Sequence, residues 1–265
     1  SIKMKTRIIT GLVLIAIILP CVIIGNIPFQ VLVGIVAGAA VFEMLSICDR
    51  PKANIYLYPL VGVFVFYSLF FMNSLMISTE IIMVYLITLL ACSMFDNGMN
   101  FHRLCYYFTA GVLIAMGLHM IYQLRLTYGV EYLIILALAT FGTDTGAYFA
   151  GMMFGKHKLN PRLSPKKTIE GSIGGMLFGT VLSVAYGAYI QVNIPLTLLI
   201  AVCLILTITG QIGDLTFSSI KRTFEVKDYS QLLPGHGGVL DRFDSILFNA
   251  MVFGLLLHFI AMAVI

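Results

Sequence analysis

Twelve consecutive residues, PGHGGVLDRFDS (234–245), hold two aspartates, an arginine, a histidine and three glycines, and a long apolar run follows them directly. Asp241 and Asp244 stand three apart, so they share one face once a helix has begun. Asp214, in TGQIGDLTFSS, closes an earlier apolar run, and Asp144, in FGTDTGAYFAG, lies inside another with no base near it in sequence. A lone carboxylate in an apolar setting must be neutral, paired from another helix, or bound to a cation. Two carboxylates on one face repel unless positive charge lies between them, and oxygen donors of this kind suit a hard cation such as Mg²⁺. Helix capping accounts for one acid at a helix start. It does not account for Asp241, Asp244 and Asp214 together.

The bases gather in two stretches. NPRLSPKKTIEGSIGG (160–175) presents Lys166 and Lys167, followed by Thr168 as the cap of a helix starting near Ile169. SSIKRTFEVKD (218–228) presents Ser219, Lys221, Arg222 and Lys227. Lysine and arginine beside glycine-rich backbone supply what phosphate groups require: a point charge, a forked donor and close N–H approach. Lys156 and Lys158 read instead as ordinary charges facing anionic lipid heads. Gly235, Gly237 and Gly238 free the backbone around His236 for close ligand contact. His119 and His258 read as packing or hydrogen-bonding residues within apolar runs, and His102 and His157 as loop residues. Glu43, late in an apolar run, reads equally as a functional acid or as a structural one that snorkels or pairs with Arg50 or Lys52.

The elements that must position these groups follow from composition. The chain of 265 residues is 60% hydrophobic and only 11% charged, with a mean hydropathy of +0.99. Apolar runs of about twenty residues recur along it, each long enough to cross a bilayer as a helix. They lack the alternation of barrel strands. The fold class is therefore all-α, a polytopic membrane protein with about nine spans, near residues 8–25, 28–48, 55–73, 77–95, 104–122, 131–153, 171–191, 195–213 and 244–264. The first run reads as a retained anchor, because no A-x-A-like cleavage site follows it. Placing the N-terminus in the cytoplasm puts every lysine and arginine except Arg125 on the inner side. The long loops near 154–170 and 214–243 are then cytoplasmic and gather the acids and bases at one membrane face. The chain reads as one membrane-embedded domain, 1–265, with N-terminal helices (1–130) and a chemistry-bearing half (131–265). The five cysteines form no C-x-x-C pair and read as small packing residues. Acids for a metal, bases for phosphates and a glycine loop together point to metal-dependent phosphate chemistry at the inner membrane surface.

SIKRTFEVKDYSQLLPGHGGVLDRFDS (219–245) resembles the signature of phosphatidate cytidylyltransferases: S-x-x-K-R, four residues, K-D, then P-x-H-G-G and D-R-x-D. DTGAYFAGMMFGKHKLNPRLSPKKTIEGSIGG (144–175) is similar to that family's second block. The resemblance covers the C-terminal half and implies a bacterial enzyme of phospholipid biosynthesis. It would convert CTP and phosphatidate into CDP-diacylglycerol and pyrophosphate with Mg²⁺, a second cation remaining open. On this resemblance Asp214, Asp241 and Asp244 hold the metal, with Asp144 as a further ligand or behind it. Lys166, Lys167, Lys221 and Arg222 bind phosphates, and Ser219, Lys227, His236, Gly237 and Gly238 contact substrate. Asp228 and Arg242 are expected to pair with each other. The implied setting is the cell (inner) membrane with a cytoplasmic active site. The partners are CTP, phosphatidate and membrane lipid, without nucleic acid, and glycine-rich faces permit a homodimer. The alternatives are a CTP-dependent polyprenol or phytol kinase and, from another class, a cation-coupled transporter. A transporter ordinarily shows internal repeats, and none is evident here.

Overall fold

A computed structural model of the chain describes residues 2–48 and 54–264. Among these residues the helices are α1 (Ile2–Ile24), α2 (Asn26–Cys48), α3 (Leu57–Phe70), α4 (Thr79–Phe95), α5 (Phe101–Thr127), α6 (Val130–Phe154), α7 (Ile169–Tyr189), α8 (Leu196–Thr223) and α9 (Leu240–Val264). A two-stranded antiparallel hairpin, β1 (Lys158–Asn160) and β2 (Ser164–Thr168), joins α6 to α7. Each expected apolar run is a helix. Six of them, α2 and α5 to α9, are long and apolar enough to cross a membrane, whereas α3, α4 and the apolar part of α1 (Ile9–Ile24) are shorter. Exposed apolar side chains such as Val63, Val181 and Phe259 line the helices. Such surfaces are unfavourable in water and natural in lipid, so the chain is a multi-pass helical membrane protein.

Two expectations about loops change. The loop near 154–170 contains the hairpin, so Lys166 and Lys167 stand on β2 rather than on irregular chain. The loop after α8 begins at residue 224, not 214, because α8 continues to Thr223 with Lys221 and Arg222 in its last turn. Bases there complement the negative end of the helix dipole. Asp214, Ser219, Lys221 and Arg222 are therefore held on a helix.

The chain forms two compact units. The first comprises residues 1–123 and 226–243, the second residues 124–225 and 244–265. In the first, the Phe64 and Tyr85 rings stack at 3.9 Å, and the Tyr85 hydroxyl donates to the Tyr107 carbonyl (2.6 Å), tying α3, α4 and α5. His119 and Gln123 of α5 hydrogen-bond the Ser74 and Met72 carbonyls at 2.9 and 2.8 Å, satisfying backbone of the turn after α3. Asp96, just past α4, accepts from the Asn54 amide, the Tyr56 hydroxyl (2.6 Å) and the Gly98 amide (2.9 Å).

In the second unit α6 and α7 meet backbone to backbone. A Cβ at Gly175 would stand 2.5 Å from the Thr143 carbonyl oxygen, and one at Gly179 would stand 2.9 Å from the Thr143 nitrogen. Small residues allow this approach, which dispersion and packing drive within lipid. Buried hydroxyls return to their own helix, as Thr140 does to Leu136 (2.8 Å) and Thr143 to Ala139 (2.6 Å). Asn249, fully buried, donates to Thr140 Oγ1 (2.9 Å) and the Leu206 carbonyl (2.8 Å) and accepts from Thr209 (2.7 Å), joining α9 to α6 and α8.

Candidate functional site

The second unit collects acids and bases from four elements. The glycine-lined contact with α7 fixes α6 and with it Asp144. Thr168 caps α7, its hydroxyl accepting from the Gly171 amide at 3.1 Å, and so fixes the end of β2. Lys167 on β2 forms an ion pair with Asp214 of α8, each side chain about 30% exposed. Asp144 and Asp244 both lie within electrostatic reach of Asp214 and of each other, with Lys167 close to Asp144 and Lys221 close to Asp244. Lys221 falls two turns beyond Asp214, on the same face of α8. Three carboxylates and two ammonium groups are thereby brought into one neighbourhood.

Not every expected residue joins this cluster. Lys166 alternates with Lys167 along β2 and is exposed. Ser219, five residues or about 140° around the helix from Asp214, lines a separate groove of about 390 Å³ with Asn160, Leu163 and Thr216. Arg222 is exposed near the end of α8.

Lys227, His236, Gly237, Gly238 and Asp241 belong to the first unit. Their loop closes on itself: the Leu233 amide donates to the Gly237 carbonyl (2.8 Å) and the His236 amide to the Leu233 carbonyl (2.9 Å). Gly237 has φ +81°, a left-handed conformation that the turn requires and that side chains disfavour. Asp241 Oδ2 accepts from the amides of Tyr229 (2.9 Å) and Gly238 (2.8 Å), so this acid organises the loop at the start of α9. His236 sits against Gly11 of α1, and its Nδ1 is buried without a hydrogen-bond partner. Arg242 and Asp228 do not pair with each other: Arg242 donates to the His236 carbonyl (2.9 Å) and Asp228 accepts from Gln231 (3.5 Å).

Among the described residues no three histidine, cysteine, aspartate or glutamate side chains form a ready-made metal cluster. The donor set still suits Mg²⁺, which is commonly held by one or two carboxylates together with substrate phosphates rather than by a protein cage.

Sequence reasoning gave Glu43 the wrong surroundings and passed over Glu170. Glu43 neither snorkels nor reaches the surface. It is fully buried, and it accepts hydrogen bonds from Ser230, Val239 and Leu240. Its expected partners Arg50 and Lys52 lie outside the described residues. Glu170 binds the His157 ring (2.6 Å) and the amides of Lys156 (3.1 Å) and His157 (3.2 Å), giving His157 an anchoring role at the base of the hairpin. Its place in the first turn of α7 was the available signal, since an acid there is usual.

Residues 5–260 match the model of the cytidylyltransferase family. The chain is 34% identical over 257 residues to the phosphatidate cytidylyltransferase of Bacillus subtilis (strain 168), covering 93% of this chain and 95% of that protein. It is 33% identical over 264 residues to the phosphatidate cytidylyltransferase of Staphylococcus aureus (strain COL), covering 96% and 99% respectively. The protein of the same name from Staphylococcus saprophyticus is 42% identical over 144 residues, 54% of this chain and 55% of its own. With a match that runs from the first helix into the last, this chain belongs to the cytidylyltransferase family.

Proposed function

We propose that this protein transfers the cytidylyl group of CTP to phosphatidate, releasing pyrophosphate and forming CDP-diacylglycerol for phospholipid synthesis. The observation that carries the reading is the gathering of Asp144, Asp214 and Asp244 with Lys167 and Lys221 in the second unit. Family membership and the names of the relatives favour it over the lipid-alcohol kinase and the transporter.

The chemistry asks little of a general base. Phosphatidate is a phosphomonoester, largely dianionic near neutral pH by analogy with phosphoserine, whose second pKa is about 6. One of its oxygens bonds to the α-phosphorus of CTP as the bond from that phosphorus to the β-phosphate oxygen breaks, and the electron pair leaves with pyrophosphate. Lys167 and Lys221 offset the charge of the two polyanions and orient them, with Arg222 and Lys166 reaching phosphates from the rim. Lys227, His236, Gly237 and Gly238 shape the nucleotide site, while Asp241 holds their loop. Ser219 contacts lipid substrate from its groove on α8. Asp214, Asp144 and Asp244 are the residues that would hold Mg²⁺. When bound, the ion would neutralise phosphate charge and polarise phosphorus toward attack.

The proposal includes about nine spans in one membrane-embedded domain, the N-terminus in the cytoplasm and the active site facing the cytoplasm at the cell membrane, on the argument from basic residues. The test uses purified protein in detergent with phosphatidate, Mg²⁺ and CTP labelled at the α or the γ phosphorus, a polyprenol or phytol being offered in parallel. Label passing from the α position into phosphatidate, with pyrophosphate released, supports the reading. Label passing from the γ position into the alcohol replaces it with a kinase.

A further inference from the structure

Glu43 lies on α2, nearly two hundred residues from its hydrogen-bond partners, and is 0% exposed. Its Oε1 accepts from the Ser230 hydroxyl (2.6 Å) and the Val239 amide (2.8 Å), and its Oε2 accepts from the Leu240 amide (2.8 Å). The last two donors belong to the start of α9, where the first N–H groups of a helix have no partner within it. A carboxylate there gains charge-assisted hydrogen bonds and faces the positive end of the helix dipole. Gly238 lies directly on the acid: a Cβ at that position would stand 2.7 Å from Oε1. Asp241 holds the same segment through Tyr229 and Gly238. Two acids thus pin residues 229–241 at both ends, one from within the loop and one from a distant helix of the same unit.

We infer that Glu43 is a positioning residue for nucleotide binding, presetting the glycine loop so that His236, Gly237 and Gly238 are in place before CTP arrives. The nucleotide role rests on the cytidylyl-transfer reading; the anchoring does not. A carboxylate serves three donors here without conflict. Glutamine offers one acceptor oxygen and turns an N–H₂ group toward a backbone N–H, leaving a buried donor unsatisfied.

The experiment compares wild type, E43Q and S230A as full chains in detergent. Amide hydrogen exchange is read in peptides covering 229–243, with peptides from α6 and α7 as reference, beside steady-state kinetics. In E43Q loop exchange rises about tenfold and KM for CTP rises about tenfold, while α6 and α7 exchange and KM for phosphatidate stay unchanged. S230A, which removes one donor, falls between E43Q and wild type. Wild-type loop exchange in E43Q overturns the inference. So does lost activity with an unaltered loop, because the acid would then act directly. If E43Q fails to insert, S230A decides: unchanged loop exchange and KM overturn the inference. A wild-type chain inactive with CTP and phosphatidate sinks the cytidylyl-transfer reading, and the nucleotide role with it.

Discussion

Among single residues, the acids divide by what they touch. Asp244 stands near Asp214, Asp144 and Lys221, whereas Asp241 accepts two loop amides. Their replacement by asparagine should therefore fail in different ways. Asp244→Asn is expected to lower kcat by about a hundredfold or more with the loop undisturbed. Asp241→Asn, which keeps one acceptor oxygen but adds donors, is expected to lower activity together with faster amide exchange at residues 229–241. Kinetics and exchange on the two purified variants separate these outcomes, and equal loop exchange in both would remove the distinction. The sequence spacing put Asp241 and Asp244 on one face of a helix, and α9 does begin at Leu240. The spacing was silent on their partners, because hydrogen bonds to loop amides depend on a turn that no periodicity encodes.

At the level of elements, the α6–α7 contact is the tightest support of the cluster. Replacing Gly179 by valine would force side-chain atoms into the Thr143 backbone. Overpacking of this kind costs about 1–3 kcal/mol, so G179V is expected to lower the thermal midpoint in detergent and to reduce activity by displacing Asp144. An unchanged midpoint would mean that the helices separate without cost. A second element-scale prediction concerns Asp96 at the end of α4. Its carboxyl lies below its ordinary 3.8, first because the Tyr56 hydroxyl donates to it and then because the Gly98 amide does. A depressed folded-state pKa gives stability that is present above 3.8 and lost as pH falls through the lower folded value. The gap in thermal midpoint between wild type and D96N should hold from about pH 5 to 7, begin to narrow near the ordinary 3.8 and close only below the lowered folded value. A gap independent of pH would exclude the carboxylate as its source.

For the molecule as a whole, the proposed topology rests on charge distribution. All lysines and arginines but Arg125 fall on one side of the proposed arrangement. In intact cells a cysteine at Tyr128 should react with a membrane-impermeant maleimide, and one at Arg162 should react only after permeabilisation. The reverse pattern would invert the chain. Six helices satisfy length and hydropathy for crossing by themselves, so the shorter α3 and α4 are where such labelling would be most informative about the span count.

The sequence by itself determined the helical membrane class, the identity of every apolar helix and the signature residues, because hydropathy over about twenty residues and motif spacing are local properties. It also located Thr168 as a helix cap, which needs only the residues around it. Tertiary structure decided the rest. It extended α8 past Asp214 to Thr223, paired Lys167 with Asp214, turned Ser219 toward a different groove, and sent Glu43 to the start of α9. These are contacts between residues from about 50 to nearly 200 positions apart. Such contacts arise only when helices pack, and a burying acid must then find donors wherever the fold supplies them.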